Sequence, residues 1–174
     1  MTTLLKNYYR LRDKVDQLCE GITARLGDAL TCHAGCSSCC CAISIFPVEA
    51  AALLEAAHQL PPEQYQRLKA QLNRPVQGDH CPLLLNDRCL LYQARPIICR
   101  THGLPILLTT DGEEQRVDVC TLNCRNMTHL PGEALINLER LNELLVSINA
   151  LYLRETTADL PERICLTSLK ELLP

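Results

Sequence analysis

The sequence predicts a mainly α fold, a helical domain whose long N- and C-terminal helices pack together, with cysteine-rich loops between them and one small β-hairpin. Three observations point there. The 174 residues include 33 leucines, one phenylalanine, five tyrosines and no tryptophan. Strands prefer β-branched and aromatic residues, so a leucine-rich interior suits packed helices. Apolar residues recur at helical spacing near both ends of the chain. Ten of the 12 cysteines fall between Cys32 and Cys124, away from those periodic stretches.

Leu4, Tyr8, Leu11, Val15, Leu18, Ile22 and Leu26 step by four and three, which predicts one helix over about 3–29. Pro47 opens a second helix, to about residue 59, and Pro61-Pro62-Glu63 a third, to about Leu72. Leu104 to Val119 reads as a hairpin, with Asp111-Gly112 supplying its turn. Leu138, Leu141, Leu145, Ile148 and Tyr152 mark another helix, over about 132–155, with Pro131 near its favoured first turn. A short amphipathic helix over about 160–172 ends the chain. The two long stripes are expected to bury each other; a coiled-coil homodimer is the alternative.

Composition excludes several classes. Seventeen basic against 20 acidic side chains give a net charge of −3, unlike a nucleic-acid binder that works by neutralising phosphates. The apolar runs fall short of the roughly 18–20 residues that span a bilayer, so no membrane association is expected. The N-terminus lacks the basic and apolar regions of a secretory signal. A single cytoplasmic domain over 1–174 is the expectation, with no linker or repeat.

The cysteines carry the chemistry. A disulfide framework belongs to small secreted chains, and this one has enough apolar mass for its own core. Inert burial suits Cys19 and Cys165, each expected inside a helix. It gives no reason for the density of Cys32-His-Ala-Gly-Cys36-Ser-Ser-Cys39-Cys40-Cys41. Metal ligation does. Cys36-x2-Cys39 lets two sulfurs reach one ion, and Cys32 adds a third. Asn86-Asp87 offers a turn folding Cys81 back toward Cys89. Side chains of neighbours in extended backbone point apart, so adjacent Cys39 and Cys40 fit two centres, or a polynuclear one, better than a single zinc. Eight thiolates carry about −8, and two zinc ions or two [4Fe–4S] cores leave about −4. Arg95 and Arg100, flanking Cys99, are the expected compensating donors beyond the ligands. His33, His80 and His102 lie near cysteines and are weaker ligand candidates. Glu49 reads as a first-turn helix charge rather than a general base.

The spacing Cys32-x3-Cys36-x2-Cys39 also matches the cluster loop of radical S-adenosylmethionine enzymes, but the chain is too short for their barrel and lacks its β/α alternation. The fuller pattern of Cys32, Cys36, Cys39 and Cys40, then Cys81-Pro82, Cys89, Tyr92, Arg95-Pro96 and Cys99-Arg100, with Glu49 and a late Cys120, resembles the CxxCxxCC family of zinc- or iron-chelating domains, over about 32–124. Cys41 and Cys124 are extra, and Thr101-His102-Gly103 stands where the family often has an aromatic-Pro pair. The resemblance implies metal on Cys32, Cys36, Cys39, Cys40, Cys81, Cys89, Cys99 and Cys120. A related cluster in flagellin lysine methylases has a reported iron–sulfur centre. The expected function is a multinuclear cysteine-ligated centre, iron–sulfur ahead of zinc, with a redox, metal-handling or sensing role. The alternative is an enzyme or enzyme subunit using the cluster, for example in methyl transfer from S-adenosylmethionine. No nucleotide loop or Ser/His/Asp arrangement supports that alternative.

Overall fold

Long apolar stripes favour helices, and helices dominate the computed structural model, which describes residues 3–33, 35–75, 78–109, 114–156 and 160–173. Helix α1 (Lys6–Leu26) follows one 3-10 turn and buries Tyr8, Leu11, Val15, Ile22 and Leu26. Gly27 ends it at φ +48°, its N–H bonded to the Thr23 carbonyl. Leu18, expected in the stripe, is 42% exposed, and Leu4 is exposed too. Cys19 packs on the core instead, because 3.6 residues per turn carries the inward face from Val15 to position 19 before Ile22.

Helices α2 (Pro47–His58) and α3 (Pro62–Leu72) have proline in their first turn, as expected. α2 sits between two cores. Its Val48 and Ala52 join α1 and helix α5 (Leu138–Glu155) in one cluster, with Leu141 and Leu145. Its Leu53 and Ala57 join Leu68 and Leu72 of α3 and a C-terminal layer in the other. The two long helices therefore do meet, inside one chain.

Two elements differ from expectation. α5 starts at Leu138 rather than near 132. Asn137 caps it by accepting the Arg140 N–H at 2.8 Å, while Ile136–Asn137 form an extended strand, β6. Pro131 precedes a separate 3-10 turn over Gly132–Ala134. The C-terminal segment is not an α-helix. Strand β7 (Ile164–Cys165) pairs antiparallel with β1 (Ser44–Ile45), and a 3-10 helix follows over Leu166–Leu172. Its i, i+3 period aligns Leu166 and Leu169 into the second core. Cys165 is accordingly exposed, not buried in a helix.

The hairpin forms from β4 (Ile106–Thr109) and β5 (Gln115–Asp118), paired from Ile106–Asp118 to Thr109–Gln115. Its turn at Asp111-Gly112 lies outside the described residues. β6 adds a third strand, parallel to β4. Among the described residues no helix is long and apolar enough to cross a membrane.

Candidate metal centre

The cysteine loop leaves α1 after Gly27 and is pinned at both ends. At its start, Cys124 N–H bonds the Ala29 carbonyl at 2.7 Å, and Thr31 N–H bonds Asn123 Oδ1 at 2.9 Å. Buried Asn123 also directs Nδ2 to Cys32 Sγ at 3.3 Å and to the Gly103 carbonyl at 2.7 Å. Gly103 stands at φ +90°, and a Cβ there would meet Cys32 Sγ at 3.2 Å and Cys120 Cβ at 3.9 Å. Close approach and backbone angle both call for glycine. Cys32 and Cys120 thus converge on the turn that follows Cys99.

At its far end the loop lies against the next segment. Cys81 N–H bonds the Cys40 carbonyl at 3.1 Å, Ala42 N–H bonds the Asp79 carbonyl at 2.7 Å, and Cys41 bridges His80. Asn86 (φ +50°) and Asp87 (φ +59°) make a left-handed two-residue turn between β2 (Leu84–Leu85) and β3 (Arg88–Cys89). The sequence reading has this turn fold Cys81 toward Cys89; the turn pairs Cys89 with Leu84, the two thiols interact, and Ser37 Oγ donates to Asp87 Oδ1 at 2.7 Å.

Cys99 arrives on α4 (Ile97–Thr101), which Pro96 starts. Glu49 fixes this helix to α2. Only 2% exposed, its Oε2 accepts the Phe46 N–H at 3.1 Å and its Oε1 the Ile97 N–H at 3.0 Å. Burial raises its pKa, and those two N–H donors oppose the rise. It is a cap shared by two helices, in keeping with the helix-charge reading.

Burial is the largest influence on the central thiols. It pushes Cys39 and Cys81 up to about 11, raises Cys40 and Cys89, and pushes Cys99 to about 12, although Cys99 keeps one side open to solvent. The sulfurs also act on one another: Cys99 feels Cys81, Cys89 and Cys40, and Cys81 feels Cys89, Cys40 and Cys41. Two contacts work the other way. The Leu83 N–H bonds Cys81 and the Leu91 N–H bonds Cys89, each two residues on, and such bonds favour the thiolate. All twelve cysteines are free thiols. Among the described residues no three Cys, His, Asp or Glu side chains are gathered tightly enough to hold an ion.

The two arginines differ. Arg95 stacks on the Tyr92 ring, Cζ 3.9 Å from its centroid, and its charge acts on Cys89 and Cys19. Its Nε is buried with no hydrogen-bond partner. Arg100 does not flank the Cys99 thiol. Its guanidinium grips Asp16 of α1 at 2.6 and 2.7 Å and donates to the Arg95 and Gln93 carbonyls. The α4 turn points it at α1, where a carboxylate and carbonyls satisfy its donors. The divergence expected of Cys39 and Cys40 is also not seen. A turn closed by Cys40 N–H on the Ser37 carbonyl replaces extended backbone, and the two thiols lie close enough to interact. Among the histidines, His33 Nδ1 pairs with the Thr31 carbonyl at 3.0 Å.

The CxxCxxCC family, described as "Putative zinc- or iron-chelating domain", matches residues 31–125, which is more than half of the chain. The chain belongs to this family. The matched stretch begins and ends within one residue of Cys32 and Cys124, so it contains every cysteine placed above around the two ends of the loop. Metal binding is thereby supported as the chemistry of this CxxCxxCC protein. No curated protein and no solved structure matched the chain.

The sequence had not pointed to Asn123, Gly103 or Asp16. Asn123 was readable only as a neighbour of Cys124, and Asp16 as one more charge on a helix. Their roles come from contacts between residues about 20 to 90 positions apart.

Proposed function

We propose that this protein holds a multinuclear, cysteine-ligated metal centre, iron–sulfur ahead of zinc, and serves in redox, metal handling or sensing. Cys32, Cys36, Cys39, Cys40, Cys81, Cys89, Cys99 and Cys120 are its ligands. The observation that carries this reading is the convergence of the sulfurs from distant stretches of chain. Cys40, Cys81, Cys89 and Cys99 act on one another although burial raises each of them, and Cys32 Sγ and Cys120 meet at Gly103. Core filling alone gives no reason to bring so many thiols together.

A bound iron–sulfur centre would supply one-electron exchange, and zinc a redox-silent clamp. The chain's own residues do the rest. Glu49 holds α4, and with it Cys99, against α2. Arg95 offsets the negative charge that ligation leaves on the sulfurs. Asn123 directs an amide donor at Cys32. More than one metal is expected because eight sulfurs exceed the four that one tetrahedral zinc takes.

Anaerobic purification of the whole chain, with metal and acid-labile sulfide analysis, tests the proposal. More than one iron per chain with matching sulfide is expected. One zinc per chain, with neither iron nor sulfide, would overturn it.

A further inference from the structure

We propose that the eight ligands divide into two separate tetrathiolate centres: Cys40, Cys81, Cys89 and Cys99 hold one, and Cys32, Cys36, Cys39 and Cys120 hold the other. This rests on the multinuclear reading above and goes beyond it by assigning each sulfur to a centre.

The division follows from where the cysteine loop is tied down. Its start, Ala29 to Cys32, is fixed to 120–124 by the Cys124–Ala29 bond, by Thr31 on Asn123 and by Thr31 Oγ1 on the Leu122 carbonyl at 3.1 Å. Cys32 Sγ and the Cys120 side chain then share the space that Gly103 leaves open. Its end, Cys40 to Ala42, is fixed to 79–81 by two backbone bonds and the Cys41–His80 bridge. Cys40 thereby joins Cys81 and, through the left-handed turn, Cys89. Cys99 completes this set, since it interacts with all three. One loop thus delivers its first cysteine to one place and its fourth to another.

Cys36 and Cys39 lie on the stretch between the two anchors. The Cys36 N–H bonds the His33 carbonyl at 3.0 Å, and Cys39 interacts first with Cys40 and then with Cys36. The first set already has four sulfurs, the number a structural tetrahedral site takes, so these two complete the second. The Cys39–Cys40 contact sits at the junction and brings the centres side by side. Asn123 and Gly103 serve the second centre alone, as positioning residues for Cys32.

Two measurements on the full chain test this, with Zn²⁺ as the probe metal. In the first, metal-free protein is titrated with Zn²⁺ and its free thiols are alkylated at each step. Cys81, Cys89 and Cys99 should become protected together, at a different point in the titration from Cys32 and Cys120. In the second, native mass spectrometry counts Zn²⁺ on folded variants. Wild type should hold two ions. Cys81→Ser and Cys32→Ser should each hold one. Cys32→Ser/Cys120→Ser should also hold one, and Cys32→Ser/Cys81→Ser none. If all five thiols are protected in step while wild type still binds two ions, the division is wrong and the multinuclear reading stands. If wild type binds a single ion, the multinuclear reading falls and takes the division with it. The alkylation arm uses only wild-type protein, so a variant that fails to fold does not remove the test.

Discussion

Arg95 combines a charge, a stacked ring and an unmatched donor in one side chain. Its Nε is buried without a partner, a situation that costs about 1–3 kcal/mol unless another state supplies an acceptor. The Arg95 charge acts on Cys89, so a metal-bound thiolate there would strengthen that attraction. Arg95→Ala should therefore weaken metal retention and raise the pH needed for loading, with little change in the metal-free fold. Arg95→Lys should restore only part, because an ammonium lacks the planar fork that both stacks on Tyr92 and donates. A chelator-competition titration across pH checks this; wild-type affinity in Arg95→Ala at every pH would rule it out. Arg100 gives the contrasting case. Its charge is already met by Asp16, so Asp16→Ala should lower stability by about 1–3 kcal/mol, because the buried guanidinium loses its partly exposed carboxylate and keeps only two carbonyl acceptors, while metal stoichiometry stays the same. Denaturant unfolding beside a metal count separates the two effects. Cys19 makes the finest distinction. Its sulfur lies 3.6 Å from the Arg100 carbonyl, inside the α1–α4 packing. Cys19→Ala should leave metal content unchanged, whereas Cys89→Ser or Cys99→Ser should lower it.

At the scale of elements, what was legible depended on how local the cause is. Proline at the first turn and leucine at helical spacing act within a few residues, and α1, α2 and α3 came out nearly as the sequence implies. The Asn86-Asp87 turn was legible for the same reason, since those residues tolerate positive φ. Leu18 was misplaced because a strict heptad drifts on a straight helix. The start of α5 and the C-terminal segment were not legible, because β6 forms only when β4 is alongside and β7 only when β1 is. The candidate ligands were visible as a pattern of spacings. Their grouping around Gly103 and around Cys40 was not, because Asn123 and Gly103 act through contacts with distant segments. The same split predicts how the elements respond to metal. α1 and α5 are held by a leucine-rich core that needs no ion. The loop 29–42 is tied by a few hydrogen bonds, and the 79–91 segment and α4 are short pieces that lend only Leu83, Leu91 and Ile97 to the cores as fully buried apolar side chains outside the cysteines. Metal removal should thus speed amide exchange in the loop 29–42, the 79–91 segment and α4, and leave α1, α2 and α5 protected. Full protection around Cys81–Cys99 in metal-free protein would contradict this.

For the molecule as a whole, the thiols make the response to pH opposite in the two states. In the metal-free protein, burial holds Cys81 at about 11 and Cys99 at about 12, against an ordinary value near 9. Groups whose pKa is raised by folding release their protons more readily from the unfolded chain. Their contribution to stability is complete below about pH 9 and is lost as pH rises through 11 to 12. Metal binding reverses the sense. Ligands must shed protons to bind, so the loaded protein gains from rising pH and loses its metal as acid returns those protons. The denaturation midpoint of the metal-free chain should therefore be level between about pH 7 and 8.5 and fall above 9, while the loaded chain stays level there and weakens in acid. Tyr9, pushed to about 12, adds a decline of the same sign in alkali. The contribution of the thiols is isolated by comparing metal-free wild type with metal-free Cys81→Ser/Cys99→Ser. Serine hydroxyls do not titrate in this range, so the variant should lose less stability between pH 9 and 11. An equal loss in both would mean that the buried sulfurs do not set the alkaline limit of this fold.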